Sequence, residues 1–334
     1  MIIGIKKAIL HILDGLSGIT VFSDEELDSQ DASIINFITT HMEKSYDDPA
    51  LRNASFKSAS GLKYHLSQYL AGEEDFIALS RGIAERLYEG IGESESPESC
   101  DLIVADCVAS EKPVLAILKC DNKIGYTHQV IQEEGEVRNT LINHYAILPA
   151  LSQRISECAF IGLDDMSVRY KGKKHKIAGE SVDLIAELLL ECDYDISSKE
   201  STNTFVKLAK NVTRDNGGDE LETAARMKRY ITDNIEELEY IEPEKLAGAV
   251  FEGRPAMHDE FMAKLNDAEV PEKVEINKYV TKKLSSNIKI TTDIGVEISF
   301  PAEFYRDSEY VEIINNPDGT LSVKINNIGE IISK

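Results

Sequence analysis

Asp101-Leu-Ile-Val-Ala-Asp-Cys-Val108 and Pro113-Val-Leu-Ala-Ile-Leu-Lys-Cys120 decide the fold. Two compact apolar runs joined by the polar Ala109-Ser-Glu-Lys112 spell a β-hairpin. Downstream, Cys158-Ala-Phe-Ile-Gly-Leu163 and a short strand around Val168 to Tyr170 extend the same sheet. Upstream the period changes to that of helices. Ile34, Ile35, Phe37, Ile38 and Met42 recur at helical spacing behind an acidic start at Asp24-Glu-Glu and before Asp47-Asp-Pro49. Phe76, Leu79, Ile83 and Leu87 form a second stripe, with Glu73-Glu-Asp75 at its positive end and Gly90 as its expected stop. The first residues, through Asp14, read as a buried strand or helix. Their apolar stretch is interrupted by His11 and has no small-residue cleavage site after it, which argues against a signal peptide.

Helical spacing returns at Val182, Ile185, Leu188 and Leu189. Ser197 is a plausible N-cap for the next helix, and Asn216-Gly-Gly218 separates that helix from one running towards Tyr240. A short helix near Met257 to Leu265 follows. Strands dominate the remainder: alternating runs flank Asp293-Ile-Gly295, and Tyr310-Val-Glu-Ile-Ile314 and Leu321-Ser-Val-Lys-Ile325 flank the turn Asn316-Pro-Asp-Gly319. The expected class is α+β. Its expected parts are a mixed domain with a central antiparallel sheet over residues 1–195, a helical section over 196–270, and a small β-hairpin-rich domain over 271–334.

Across 334 residues, 36 Lys+Arg stand against 59 Asp+Glu, a net charge of −23, so histone-like binding of DNA over the whole surface is excluded. Apolar residues at 42% and charged residues at 28% describe a soluble globular chain. No segment approaches the roughly 20 apolar residues of a bilayer span, so no membrane partner is expected and the cytoplasm is the expected compartment. Cys100, Cys107, Cys120, Cys158 and Cys192 form no C-x-x-C and read as reduced, buried thiols.

Phosphate-binding glycine loops, nucleophile elbows and H-E-x-x-H are all missing, and no metal site or cofactor is expected. His11 reads as a hydrogen-bonded core residue. One arrangement invites an enzymatic reading. Divalent-metal nucleases place a carboxylate on one hairpin strand and carboxylate-x-Lys on the next. Asp101 or Asp106 could be the first group, but Ile117-Leu-Lys119 puts isoleucine where the second carboxylate belongs, so the protein is expected not to be an enzyme.

Two basic clusters stand out in so acidic a chain. Met166-Ser-Val-Arg-Tyr-Lys-Gly-Lys-Lys-His-Lys176 carries Arg169, Lys171, Lys173, Lys174 and Lys176 without an acid among them. Lys278-Tyr-Val-Thr-Lys-Lys-Leu-Ser-Ser-Asn-Ile-Lys289 adds Lys278, Lys282, Lys283 and Lys289. Five cations around Gly172, in what reads as a β-hairpin loop, suit a phosphate backbone.

Several patches, spread over almost the whole chain, carry a resemblance. They are Ile5-Lys-Lys-Ala-Ile-Leu-His-Ile-Leu-Asp14, Gly72-Glu-Glu-Asp-Phe-Ile-Ala-Leu-Ser80, Leu115-Ala-Ile-Leu-Lys119, Leu148-Pro149 and Glu157-Cys-Ala-Phe-Ile161, then Asp293-Ile-Gly-Val-Glu-Ile-Ser-Phe-Pro301 and Asn316-Pro-Asp-Gly-Thr-Leu-Ser-Val-Lys-Ile325. In order and spacing they resemble the 37-kDa nucleoid-associated bacterial proteins, the NdpA family. The resemblance implies a bacterial cytoplasmic protein that localises with the nucleoid and associates with DNA; it supplies no catalytic residue. Two mechanisms then compete. The Lys-rich loops, doubled in a possible homodimer, bind DNA without sequence specificity; or the acidic surface is an adaptor that docks on a DNA-bound or DNA-processing protein. A degenerate Mg-dependent nuclease is the enzymatic alternative.

Overall fold

In the computed structural model, residues 2–16, 20–133, 136–234, 240–268, 270–275, 287–301, 304, 309–318 and 320–330 are described. The chain is α+β and divides into two compact units, Met1–Asp195 and Ile196–Lys334.

The first unit is built on β1 (Ile3–Asp14), β2 (Thr20–Val21), β3 (Arg52–Phe56), β4 (Ser99–Ala109) and β5 (Lys112–Asp121). After these come β6 (Lys123–Glu133), β7 (Glu136–Ile147), β8 (Glu157–Gly162), β9 (Val168–Lys171), β10 (Lys174–Ile177), β11 (Glu180–Asp183) and β12 (Cys192–Tyr194). Eight of them form one sheet in the order β12-β3-β9-β8-β5-β4-β1-β2, antiparallel throughout. The β4–β5 hairpin lies at its centre. Both strands are buried nearly end to end because side chains at alternate positions enter two different cores.

On one face, Leu102, Val104, Leu115 and Ile117 meet α2 (Gly61–Ala71), α3 (Phe76–Glu93) and a π-helix, Leu184–Leu190. On the other, Ile103, Ala105, Ala116 and Leu118 meet Ile38 and Met42 of α1 (Ala32–Tyr46). A bulge between Ile5 and Lys7 keeps β1 in phase with this arrangement. It lets Ile3 and Ile5 before it, and Ala8 and Leu10 after it, face the same core although the parity of their numbers differs.

Local chemistry sets the helix ends. The Asp31 carboxylate accepts from the Ser33 and Ile34 amides, so α1 starts there and not at Asp24-Glu-Glu. α3 runs through Gly90 to Glu93, and Gly90 is needed for packing: a Cβ there would lie 2.9 Å from Leu188 and 3.0 Å from Leu184. Segment 169–176 is not one hairpin loop, because β9 pairs with β3 and β8 while β10 pairs with β11. β6 and β7 form a separate two-stranded ribbon for which the sequence pattern gave no expectation.

In the second unit, α4 (Ser198–Asp215) opens on a capping box between Ser197 and Glu200 and ends at Asn216, with Gly217 at φ +70°. α5 (Glu220–Asn234), α6 (Pro243–Val250) and α7 (Pro255–Asp267) complete a helical core around Phe205, Met227, Leu246 and Phe261. β13 (Tyr240–Ile241) pairs with β14 (Val274–Glu275). Two hairpins follow, β15 (Asn287–Thr291) with β16 (Glu297–Pro301) and β17 (Val311–Asn315) with β18 (Leu321–Ile325). Ile288, Phe300 and Val311 pack on Ala225 of α5.

Candidate functional site

Four of the five cations in segment 169–176 are held by groups of their own unit. The Arg169 guanidinium donates to the Tyr46 carbonyl at 2.6 Å and lies over the Tyr46 ring. Lys171 donates to Asp48 at 2.8 Å and to the Ile155 carbonyl at 2.9 Å. Burial raises the Asp48 carboxyl's pKa, but Lys171, the Ala50 amide and Arg154 together outweigh it and the net shift is downward. Lys174 donates to Glu187 at 2.6 Å and to the Tyr194 hydroxyl at 3.2 Å. Lys173 reaches Asp121 at 2.8 Å. Lys176 alone of the five is exposed on a strand end with no ion pair among the described residues. Of the second cluster, Lys278, Lys282 and Lys283 lie outside the described residues. Lys289 pairs with Glu297 at 2.8 Å across β15 and β16, with both side chains more than half exposed.

Lys173 joins a buried charge network centred on Lys119, whose side chain is 0% exposed. The Lys119 ammonium donates to Asp121 and Glu157 at 2.6 Å and to Glu98 at 2.8 Å. Glu157 turns its other oxygen to His175 Nε2 at 3.0 Å, and Asp121 also accepts from the Ser156 hydroxyl at 2.7 Å. Burial works to strip the Lys119 proton, but the surrounding carboxylates, Glu157 first, hold its pKa above that of an ordinary lysine. Against their own burial, His175 and Lys119 hold Glu157, and Lys119 with Lys173 and Ser156 holds Asp121, below the usual carboxylate range.

Ligand atoms of Glu98, Glu157 and His175 lie within 4.8 Å of one another, a spacing that suits a metal ion. Here the Lys119 ammonium already donates to both carboxylates of that donor set, so the cluster reads as structural. The nuclease pairing finds no support either. Asp101 faces the core of Ile103 and Cys120, whereas Lys119 lies on the opposite sheet face with Leu102 and Ile117. Asp106 shares Lys119's face but is four residues along the ladder, about 13 Å away, and accepts from the Tyr69 hydroxyl.

Further cations line a groove of the second unit. Segment 201–214 contains no Asp or Glu, and neither does 223–232. α4 buries Phe205, Ala209 and Val212, which leaves Asn203, Lys207 and Lys210 along one flank at helical spacing, beside the partly buried Val206. With Thr202 and with Lys228 from α5, these residues line a groove of about 390 Å³. Neither Lys207 nor Lys210 forms an ion pair among the described residues. Burial first, and the neighbouring Lys210 second, lower the pKa of Lys228. This groove was missed in the sequence because its cations are spread along two helices and do not cluster in a loop. The legible signal was two acid-free helical stretches in a chain of net charge −23.

The described residues thus hold an ion-paired internal cluster and a lysine-lined helical groove. The family model described as nucleoid-associated protein YejK matches residues 9–332, and the chain belongs to that family. No curated protein matches it. The family carries association with the nucleoid, and no described helix is long and apolar enough to cross a membrane.

Proposed function

We propose that this nucleoid-associated protein binds the phosphate backbone of DNA directly, without reading base sequence and without cutting it, through the groove between α4 and α5. The convergence of Lys207, Lys210 and Lys228 on one groove carries the reading. Like charges drawn together and partly desolvated are relieved by an anion, and each neutralised phosphate releases counterions. The groove lining contains no Arg to pair bidentately with a base edge, which favours backbone contact over base reading. The sequence-derived loops take a lesser part. Arg169, Lys171, Lys173 and Lys174 would have to leave partners they already hold, whereas Lys176, the 278–283 lysines and the surface-paired Lys289 would add long-range attraction.

Fluorescence anisotropy of labelled duplex DNA at several salt concentrations, with Mg²⁺ present and the DNA recovered on a gel, tests this. The wild-type chain is expected to bind saturably and to leave the DNA intact. Lys207→Glu with Lys210→Glu should weaken binding at least about tenfold and flatten the salt slope by roughly two, close to 0.9 per lost phosphate contact. Absence of binding at low salt would turn the search to a DNA-bound protein partner, and cleaved DNA would restore the nuclease.

A further inference from the structure

The β6–β7 ribbon is an insertion. β5 and β8 are hydrogen-bonded neighbours, with Lys119 opposite Glu157, yet the chain between them runs out through the ribbon and back. Among the described residues the ribbon pairs with no other strand. Two strands alone are marginal in water unless one face is covered. Its ladder register places Tyr126 opposite Asn143, His128 opposite Leu141, Val130 opposite Asn139 and Gln132 opposite Val137, all on one face. That face contains no Asp, Glu, Lys or Arg. Ile124 and Tyr145 continue the alternation at the base, where the ladder shifts register. Tyr126 is 69% exposed and Leu141 74%.

We propose that this face is a self-association surface whose occupant is the same face of a second copy. Charge selects it: two copies that each carry −23 repel one another, and a face free of ionised groups is where they can approach. The pattern is also self-complementary. An in-plane two-fold axis through the His128 and Leu141 row lays Tyr126 on Val130 of the second copy and Leu141 on Leu141 of the second copy. The same operation puts Asn139 on Asn143 of the second copy and Val137 on Tyr145 of the second copy, so these apolar groups meet apolar groups and these amides meet amides, His128 meets its own copy, and only Ile124 at the base meets an amide, that of Gln132. The six large apolar side chains present on the order of 700 Å², near the roughly 800 Å² that each partner gives to a standard interface. DNA is disfavoured as occupant because the strands end at the tip on Glu133 opposite Glu136.

Light scattering on the full chain without DNA, at about 50 μM, should return twice the 37.2 kDa of one chain. Leu141→Glu should raise the dissociation constant at least about 30-fold, as loss of one hot-spot residue does, with an unchanged circular dichroism spectrum. Because position 141 lies on the axis, Leu141→Cys should form an interchain disulfide on mild oxidation; the five native thiols are buried. A wild-type mass of 37.2 kDa, a doubled mass that survives Leu141→Glu, or failure of Leu141→Cys to cross-link would each overturn the proposal. So would a DNA affinity that falls in Leu141→Glu at concentrations where the wild type is already monomeric. These masses are read without DNA, so their failure is distinct from failure of the groove.

Discussion

Lys119 in the sheet unit and Lys228 in the helical unit are both drawn out of water, with opposite results. Lys119 is ringed by Glu98, Asp121 and Glu157, which raise its pKa, whereas Lys228 faces Lys210 and its pKa is lowered. Burial penalises both charges, and the sign of the neighbours decides between the two outcomes. A matched cluster is spent on holding the fold together. Lys207 and Lys210, beside Lys228 and without an ion pair among the described residues, are the cations that the proposed DNA contact would use. The same division separates segment 169–176, whose cations mostly face inward, from the α4 and α5 lysines.

The contrast is broken most directly at Lys119. Lys119→Met removes the buried cation shared by Glu98, Asp121 and Glu157, leaving only Lys173 and His175 beside the last two, and should cost about 3–5 kcal/mol in urea unfolding, part of it recovered when Glu157→Leu is added. A loss under about 1 kcal/mol would mean that the network is not structural.

His11 and Asp101 sharpen the comparison, because they are buried in the same sheet without an ion pair among the described residues. His11 bonds to the Ser80 hydroxyl and accepts from the Ser23 amide, and burial lowers its pKa from 6.5 to about 4. The neutral ring is favoured, so its stabilisation is complete above pH 6.5 and is lost as pH falls towards 4, up to roughly 3 kcal/mol. His11→Gln should flatten that part of the stability–pH curve. Burial raises Asp101 from 3.8 to about 6, so the folded state is penalised increasingly as pH rises through that window. Asp101→Asn should therefore stabilise by about 1–2 kcal/mol at pH 7.5 and by almost nothing at pH 3.5 in paired thermal melts. The smallest effect is expected in the groove itself. Lys228→Met should change stability by no more than about 0.5 kcal/mol while weakening DNA several-fold. A large stability loss there would place Lys228 with Lys119.

Much of the fold was legible because its signals are local. The 101–120 hairpin, the strand at 158–163, the Ser197 cap, the Asn216-Gly-Gly218 break and the hairpins flanking Gly295 and Asn316-Pro-Asp-Gly319 all stand where periodicity and turn chemistry put them. The resemblance to nucleoid-associated proteins holds as family membership. What escaped depends on tertiary context. Gly90 resembles a stop signal but serves helix packing. The β6–β7 ribbon carries its apolar groups on a face with no core beneath it. Nothing local distinguishes Lys171 and Lys173 from exposed lysines either, since Asp48 and Asp121, which bind them, lie far away in sequence.

The borders of the large sheet have a consequence for the protein at high concentration. One border is the three-residue β12, and at the other the outer side of β1 is met by β2 only at Ile12 and Leu13. The rest of that side would template another strand, but the Leu27 amide donates to the Ala8 carbonyl, the Ser23 hydroxyl engages the Leu10 carbonyl, and the bulge beside Lys6 and Lys7 interrupts the ladder. A short end, a kinked charged strand and a loop laid over it are the devices that keep sheets from growing from molecule to molecule. Crowded copies of this chain are thereby protected from aggregating edge to edge through the sheet.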